Sequence, residues 1–574
     1  MSNRILGVAL SLGLVAGVLV NGAERQAGAA LPPPSGATSV AAAGPIDTEL
    51  NRRIREEGLE RSHLPALMHR LADVYGPRLT GSPNLERAGR WAIETMESWG
   101  LVNGRMEPWN WGHEGWLNER AAGHIVSPVQ DRLEFEVLGW TPSTNGTVTA
   151  EAFHLVAPQG PPGPDAGRGR GPQPLGPTEA ELTAYFQSIQ DKVAGRIVLV
   201  GAPVTVNVNF NRPAMRAPDD EVRARYGGPA AAPAARRGGG GGRGGRGDAA
   251  SDRLTPQQVA ARVAEFLRKQ RAAVRVFDAG RPHGQIAAFN VAGYNSSQTL
   301  PSVLMRNEDY GRIARILADG TPVTLEFTIV NRIYPEGRTA FNAIAEIRGT
   351  DKADDVVMLG GHLDSWHAAT GATDNAIGCA IMMEAVRILR RVGAAPRRTI
   401  RVALWSGEEQ GLLGSKAYVA EHFGTAEAPT PAFARLSAYW NIDTGTGRVR
   451  GLSVFGPPEA ATALAELVAP FEDFGVFGAA ATRSRNLGGT DSTSFNAAGL
   501  PGINAYQDPI EYGSHTHHTN LDTYERIVWD DVKRAAVVTA SVIYHLAARE
   551  ELLPRFAGDA MPAAPAAPAA GRGQ

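Results

Sequence analysis

The sequence predicts an α/β fold: a three-layer, mostly parallel or mixed sheet with helices on both faces, plus an inserted β-rich domain. Three observations lead there. From about residue 350, apolar strand-like runs alternate with helical stretches, the pattern of a sheet covered on both sides. Clusters of His, Asp and Glu follow the ends of those runs, where open α/β sheets bind ligands. Between about 103 and 331 the alternation gives way to short strand-like runs interrupted by glycine-rich tracts.

Taken in order, helical patterns cover 46–72 and 84–99, separated by the turn-rich Tyr75–Pro83. The runs 132–139, 148–156 and 195–203 read as strands, 255–270 as a helix, and 273–276, 285–292 and 300–304 as strands. A helix at 306–317 and strands at 321–331 and 339–347 follow. Asp355–Gly360 has the apolar character of a buried strand, and Ile377, Ala380, Met383 and Leu389 give 375–391 an amphipathic helical period. Strands are expected at 399–406, 434–442 and 501–506, and helices at 411–421, 458–469 and 521–547. The tracts Pro161–Pro177 and Gly227–Gly247 are too rich in glycine to pack and read as surface loops.

The charge balance is −2 over 574 residues, so no charge excess points to nucleic acid. The Arg/Gly run near 236–246 lacks the aromatic platforms of an RNA-binding segment. The single cysteine, Cys379, excludes an intrachain disulfide and reads as a buried small residue. Ile5–Val20, behind Arg4 and ahead of Ala27–Ala29, has the form of a secretory signal peptide, with 1–29 removed and 30–43 a flexible lead-in. The expected location is therefore the periplasm or the medium, with no stable membrane span after cleavage. The segment 556–574 is expected to be a disordered Pro/Ala-rich tail.

The chemistry lies in Gly360–Ser365, Gly371–Asn375, Gly407–Gly411, Asn441–Gly445 and Ser514–Asp522. At an extended strand end, His362 and Asp364 point the same way, so Asp364 can accept a hydrogen bond from a ligating imidazole. Asp374 opens a helix, and its two oxygens can bridge two metals. Of the adjacent Glu408 and Glu409, one can bind metal while the other reaches an attacking water. His362, Asp374, Glu409, Asp443 and His518 thus form a mixed nitrogen and oxygen set suited to zinc, with manganese or cobalt as alternatives. Glu408 is the candidate general base toward a bridging water, and Tyr506 the candidate oxyanion donor. Asp491 reads as a pocket wall or a helix cap, Asp522 as a helix-start carboxylate or more, and His515 or His517 can replace His518 as a ligand. The chain has no His-Glu-x-x-His pair, no phosphate-cradling Gly-x-x-x-x-Gly-Lys and no Gly-x-Ser-x-Gly elbow.

Gly361–Ser365, Ala372–Asn375, Trp405–Ser415, Asn441–Asp443 and His518–Thr523 together resemble the M28 family of co-catalytic zinc exopeptidases. The resemblance covers roughly 340–545, with Leu79–Pro83 as an N-terminal part. It implies two zinc ions, His362 and Asp443 as ligands, Asp374 as the bridge, Glu409 and His518 as further ligands, Glu408 as base and Asp364 as the carboxylate behind the first histidine. It also implies that 44–108 and 336–555 form the peptidase domain and that 109–335 is an inserted protease-associated domain. That domain's later signature is Leu300–Asp309. Trp109–Glu114, Leu138–Pro142, Gly146–Glu151 and His517–His518 resemble the carboxypeptidase Q branch, whose members cleave dipeptides or short peptides. Asn375 stands where that branch often has a second aspartate, which leaves release of N-terminal residues open. Glutaminyl cyclisation and a non-catalytic scaffold are the minor readings, and the oligomeric state is open, a homodimer included.

Overall fold

A computed structural model describes residues 46–163, 175–213, 215–228, 252–290, 293–486 and 488–565. The expected signal peptide and lead-in, most of both glycine-rich tracts and the end of the tail lie outside them. Two large eight-stranded sheets, each flanked by helices, make up the mixed α/β fold.

The first sheet runs in the order Val102–Asn110, Thr339–Ile347, Arg398–Trp405, Lys352–His362, Leu436–Asn441, Gly502–Gln507, Val449–Phe455 and Ala479–Thr482. Its four central strands, Arg398–Trp405 to Gly502–Gln507, are parallel, so their C-terminal ends meet at one edge. Antiparallel pairing flanks them, which makes the sheet mixed. The helices Thr48–Glu60, Pro83–Ser98, Ile377–Arg391 and Trp529–Ala548 cover one face and share its main core. Thirteen of the fifteen residues of Ile377–Arg391 are buried, including Glu384 and Arg387. Arg387 donates to Glu384 and to Glu57 at 2.7 Å each, so the buried cation is matched by carboxylates on two helices.

The second sheet, in the order Asp131–Arg132, Gly115–Ser127, Thr324–Tyr334, Thr147–Leu155, Ile197–Val200, Val274–Asp278, Ser302–Met305 and Phe135–Val137, is also mixed. Four successive strands in it, from Thr147–Leu155 to Ser302–Met305, are parallel. The helices Glu179–Ile189, Pro256–Lys269 and Asn307–Ala318 accompany them, so this region is α/β and not β alone.

Some boundaries differ from expectation. The longest strand of the second sheet, Gly115–Ser127, is absent from the sequence reading, as is Val449–Phe455. Residues 285–290 form no strand; their backbone bonds instead to the loop that carries His518. The helix expected at 521–547 begins at Trp529 because the preceding residues turn around the site. The tail expected to be disordered from 556 is packed at its start, with Phe556 buried against Phe455 at a ring separation of 5.3 Å.

Candidate metal centre

His362 ends a central strand, and its Nδ1–H donates to the carbonyl of Asp364 at 2.9 Å. That bond fixes the tautomer and turns Nε2 inward. Nε2 stands 3.2 Å from Asp374 Oδ1 and 3.2 Å from Asp443 Oδ1. Across the site, His518 Nε2 stands 3.2 Å from Asp374 Oδ2 and 2.9 Å from Glu409 Oε2. Asp374 therefore offers one oxygen to each histidine. Two candidate metal clusters result, His362/Asp374/Asp443 and Asp374/His517/His518, sharing Asp374.

These distances fit a metal pair. Two ligand atoms about 2.0–2.1 Å from a tetrahedral zinc lie about 3.3 Å from each other. Asp374 Oδ2 and Glu409 Oε1 are buried and accept no hydrogen bond, which costs free energy unless a cation lies beside them. Burial, followed by Asp443, Asp491 and Glu409, holds Glu408 well above the usual carboxylate range. Burial and Asp374 likewise push Glu409 to about 7. Burial acts against charge on His362 and His518, but the surrounding carboxylates outweigh it. His362 is raised well above its ordinary value and His518 to about 10. Negative charge is thus in excess, and the protein alone neutralises it only with protons.

The backbone around these side chains is specified closely. Asp364 was expected to buttress the imidazole through its carboxylate. The carboxylate oxygen lies 3.7 Å from Nδ1, and the carbonyl takes the hydrogen bond instead. The Asp364 carboxylate accepts from the Thr80 hydroxyl at 3.0 Å and from the N–H groups of Glu408 and Glu409 at 3.3 Å each. It therefore sets the turn that presents both glutamates. Gly407 opens that turn at φ +71°, and a Cβ there would meet the Trp109 ring at 2.8 Å, so a side chain is excluded twice over.

Asp522 accepts from the N–H groups of Thr373 at 2.5 Å and Asp374 at 3.1 Å, holding the peptide that carries the shared carboxylate. Arg78, fully buried, donates to the carbonyls of Leu363, Leu71, Thr370 and Gly371 at 2.6–2.9 Å. It ties the chain after His362 to the N-terminal helices. His518 sits at φ +60°, a conformation that costs an L-residue about 1–2 kcal/mol and that the surrounding contacts must offset.

All five metal-ligand candidates of the sequence are brought together, as are Glu408 and Asp364. Tyr506 is not: its ring lies against Tyr226 at 5.7 Å and under Arg225 at 5.0 Å. Tyr512 is at the site, its ring 4.8 Å from that of His517. Burial and the charges of Asp374, Asp443, Glu409 and Asp522 push its phenol well above the ordinary value. Asp491 makes no side-chain capping bond to the helix it precedes; burial, with Asp443 and Asp364, raises its carboxyl to about 7. Cys379 is buried, its thiol directed at the His362 carbonyl, 3.1 Å away. Thr80 and Asp522 lie inside segments the sequence singled out, Leu79–Pro83 and Ser514–Asp522, but not with these roles; Tyr512, two residues before Ser514, was not a candidate.

Residues 342–543 match the model for peptidase family M28. With the paired clusters, this makes the chain a zinc-dependent metallopeptidase whose 342–543 region is M28-like. Across most of its length the chain is related to carboxypeptidase Q. It is 27% identical to the Bos taurus protein over 490 residues, covering 84% of this chain and 85% of that one. It is 26% identical to the Homo sapiens protein over 493 residues, with the same coverage. A peptidase M28 precursor from Shewanella amazonensis has the same fold, with a TM-score of 0.58 and 22% identity over 89% of this chain and 98% of that one. A zinc aminopeptidase from Bacillus subtilis aligns with a TM-score of 0.50 and 18% identity over 86% and 96%.

Proposed function

We propose that the protein is a co-catalytic di-zinc exopeptidase of dipeptides or short peptides, of carboxypeptidase Q type. The observation that carries this is the Asp374 carboxylate, one oxygen 3.2 Å from each of two inward-facing imidazoles. His362 and Asp443 would hold one zinc, His518 and Glu409 the other, and Asp374 both. When bound, such a pair supplies Lewis-acid polarisation of the scissile carbonyl and makes water acidic enough to attack near neutral pH.

The chain's own residues do the rest. Glu408, beside the ligand Glu409 on the turn set by Asp364, takes the proton of the attacking water and returns it to the departing amine. Tyr512 keeps its proton and donates a hydrogen bond to the oxygen on which charge develops. Asp522 keeps Asp374 in place while charge moves. Residues 44–108 and 336–555 form the peptidase domain and 109–335 an insertion of protease-associated type. The N-terminal pattern of residues 1–29 supports export; among the described residues no helix is long and apolar enough to cross a membrane.

A second reading, release of N-terminal residues, draws on the fold shared with the zinc aminopeptidase. Dipeptides blocked at either end, assayed with metal counting, separate the two. Cleavage of N-blocked but not C-blocked dipeptides, with two metals per chain, is expected. The reverse preference would establish the aminopeptidase reading.

A further inference from the structure

The loop that carries Asp443 is gripped from two sides by buried side-chain amides. Before the ligand, Asn375 Nδ2 donates to the Ile442 carbonyl at 2.8 Å. After it, Gln507 Oε1 accepts from the Thr444 N–H at 3.3 Å and the Thr444 hydroxyl at 2.9 Å. The same side chain donates through Nε2 to the carbonyls of Gly445 at 3.0 Å and Gly447 at 2.6 Å. Asn375 and Gln507 are both buried. The Asp443 carboxylate itself has one hydrogen-bonding partner among the described residues, His362, so its place is set by the backbone on either side.

Each amide stands on a fixed base. Asn375 follows the shared ligand Asp374, and its Oδ1 accepts from the Gly378 N–H at 3.1 Å, in the first turn of Ile377–Arg391. One side chain thus ties the start of that helix to the residue before Asp443. Gln507 ends the strand Gly502–Gln507, parallel neighbour of the strand that leads to Asp443. The next residue, Asp508, is buried and accepts from the Ala217 N–H at 2.9 Å, Arg448 Nε at 3.1 Å and Arg450 Nη1 at 2.7 Å. The other supports of the site are carboxylates: Asp364 and Asp522 accept from backbone N–H groups. Around Asp443 the groups to be held include three carbonyls, which need donors. A neutral amide supplies them without altering the charge of the site.

We propose that Asn375 and Gln507 are positioning residues that fix Asp443 for the zinc it shares with His362, and that Asn375 takes no part in reading the substrate's end. Both ends of the Asn375 amide are bonded within the chain, and its side chain is buried. An aspartate at 375 would set a carboxylate oxygen against the Ile442 carbonyl oxygen, losing the bond and adding repulsion. The departure from the carboxypeptidase Q branch at this position therefore bears on the metal and not on the peptide. Hydrogen-bonding partners behind a metal ligand matter in this way because they hold it in the one place from which it binds.

This inference rests on the di-zinc reading. Its test is zinc titration of the full-length protein against a competing chelator, with the cobalt(II) d–d spectrum recorded beside it. Asn375→Asp and Gln507→Glu keep the size and the acceptor oxygens of each side chain and remove the N–H donors. Each should weaken one of the two zinc ions about 10- to 100-fold and leave the other within about threefold. Only one cobalt site should change its spectrum. In Asp443→Ala, neither isostere should alter the affinity of the zinc that remains. Thr444→Val, which deletes only the hydroxyl bond to Gln507, should give a smaller loss at the same zinc, and it carries the test if an isostere fails to fold. At saturating zinc, Asn375→Asp should keep the parent's ratio of turnover on N-blocked and C-blocked dipeptides. Parent-like binding of both zinc ions, equal weakening of both, or a further loss in Asp443→Ala would overturn the positioning role. A shifted ratio would overturn the exclusion of Asn375 from substrate reading. A parent that holds fewer than two zinc ions would instead overturn the di-zinc reading, and this one with it.

Discussion

Asp374 divides its two oxygens between His362 and His518, so its loss touches both halves of the site at once. Asp374→Ala should reduce bound zinc from two to one or none, as elemental analysis would show, whereas Asp443→Ala should lose one. Glu408 makes no such contact. Glu408→Gln should keep two zinc ions and lower kcat by about 10²- to 10⁴-fold, the usual span for general acid–base catalysis. Activity equal to the parent would remove Glu408 from the base role. Arg78 belongs to a different class of residue. It satisfies four carbonyls from a fully buried position, and its removal leaves them without donors. Arg78→Ala should destabilise the fold by about 3–5 kcal/mol, measured by denaturant unfolding.

At the scale of elements, the strand–helix alternation beyond 350 was legible because strands buried on both faces leave near-continuous apolar runs, as in Asp355–Gly360. Gly115–Ser127 was not legible, since its middle, Glu119–Ala122, faces solvent and carries Glu and Arg in place of apolar side chains. The run 285–292 read as a strand because it is largely apolar, but its Phe289 packs against Trp366 and His518. The ligands could be read from strand-end positions and resemblance. The supports Thr80 and Asn520 could not, because a hydroxyl or an amide meeting a partner over 200 residues away leaves no local pattern.

One joint between elements is sensitive to pH. His367 Nε2–H donates to the Val137 carbonyl of the second sheet at 2.7 Å, and burial lowers its pKa to about 4. The folded value lies below the unfolded one, so between about pH 6.5 and 4 the unfolded chain binds more protons and stability falls as pH falls. The loss should reach about 1–3 kcal/mol. A thermal midpoint that declines from pH 7.5 to 5 in the parent, and less steeply in His367→Gln, is the expected result.

For the whole molecule, uncompensated carboxylates make the metal-free protein the weaker fold. Chelation should lower the unfolding midpoint, and zinc should restore it in a concentration-dependent way. The two sheets also share the work. The first gathers the metal ligands at its strand ends, while the second sends one loop to the rim, clipped by Asn520.

The first sheet begins with Val102–Asn110 and resumes only at Thr339–Ile347, its antiparallel neighbour, after the entire second sheet has been threaded. A fragment starting near 336 would include every metal ligand, yet it would expose an unpaired edge and lack the guanidinium that fastens the turn after His362. Such a truncation is expected to aggregate rather than work as a minimal enzyme. During synthesis, the early helices must wait, exposed, for partners made several hundred residues later.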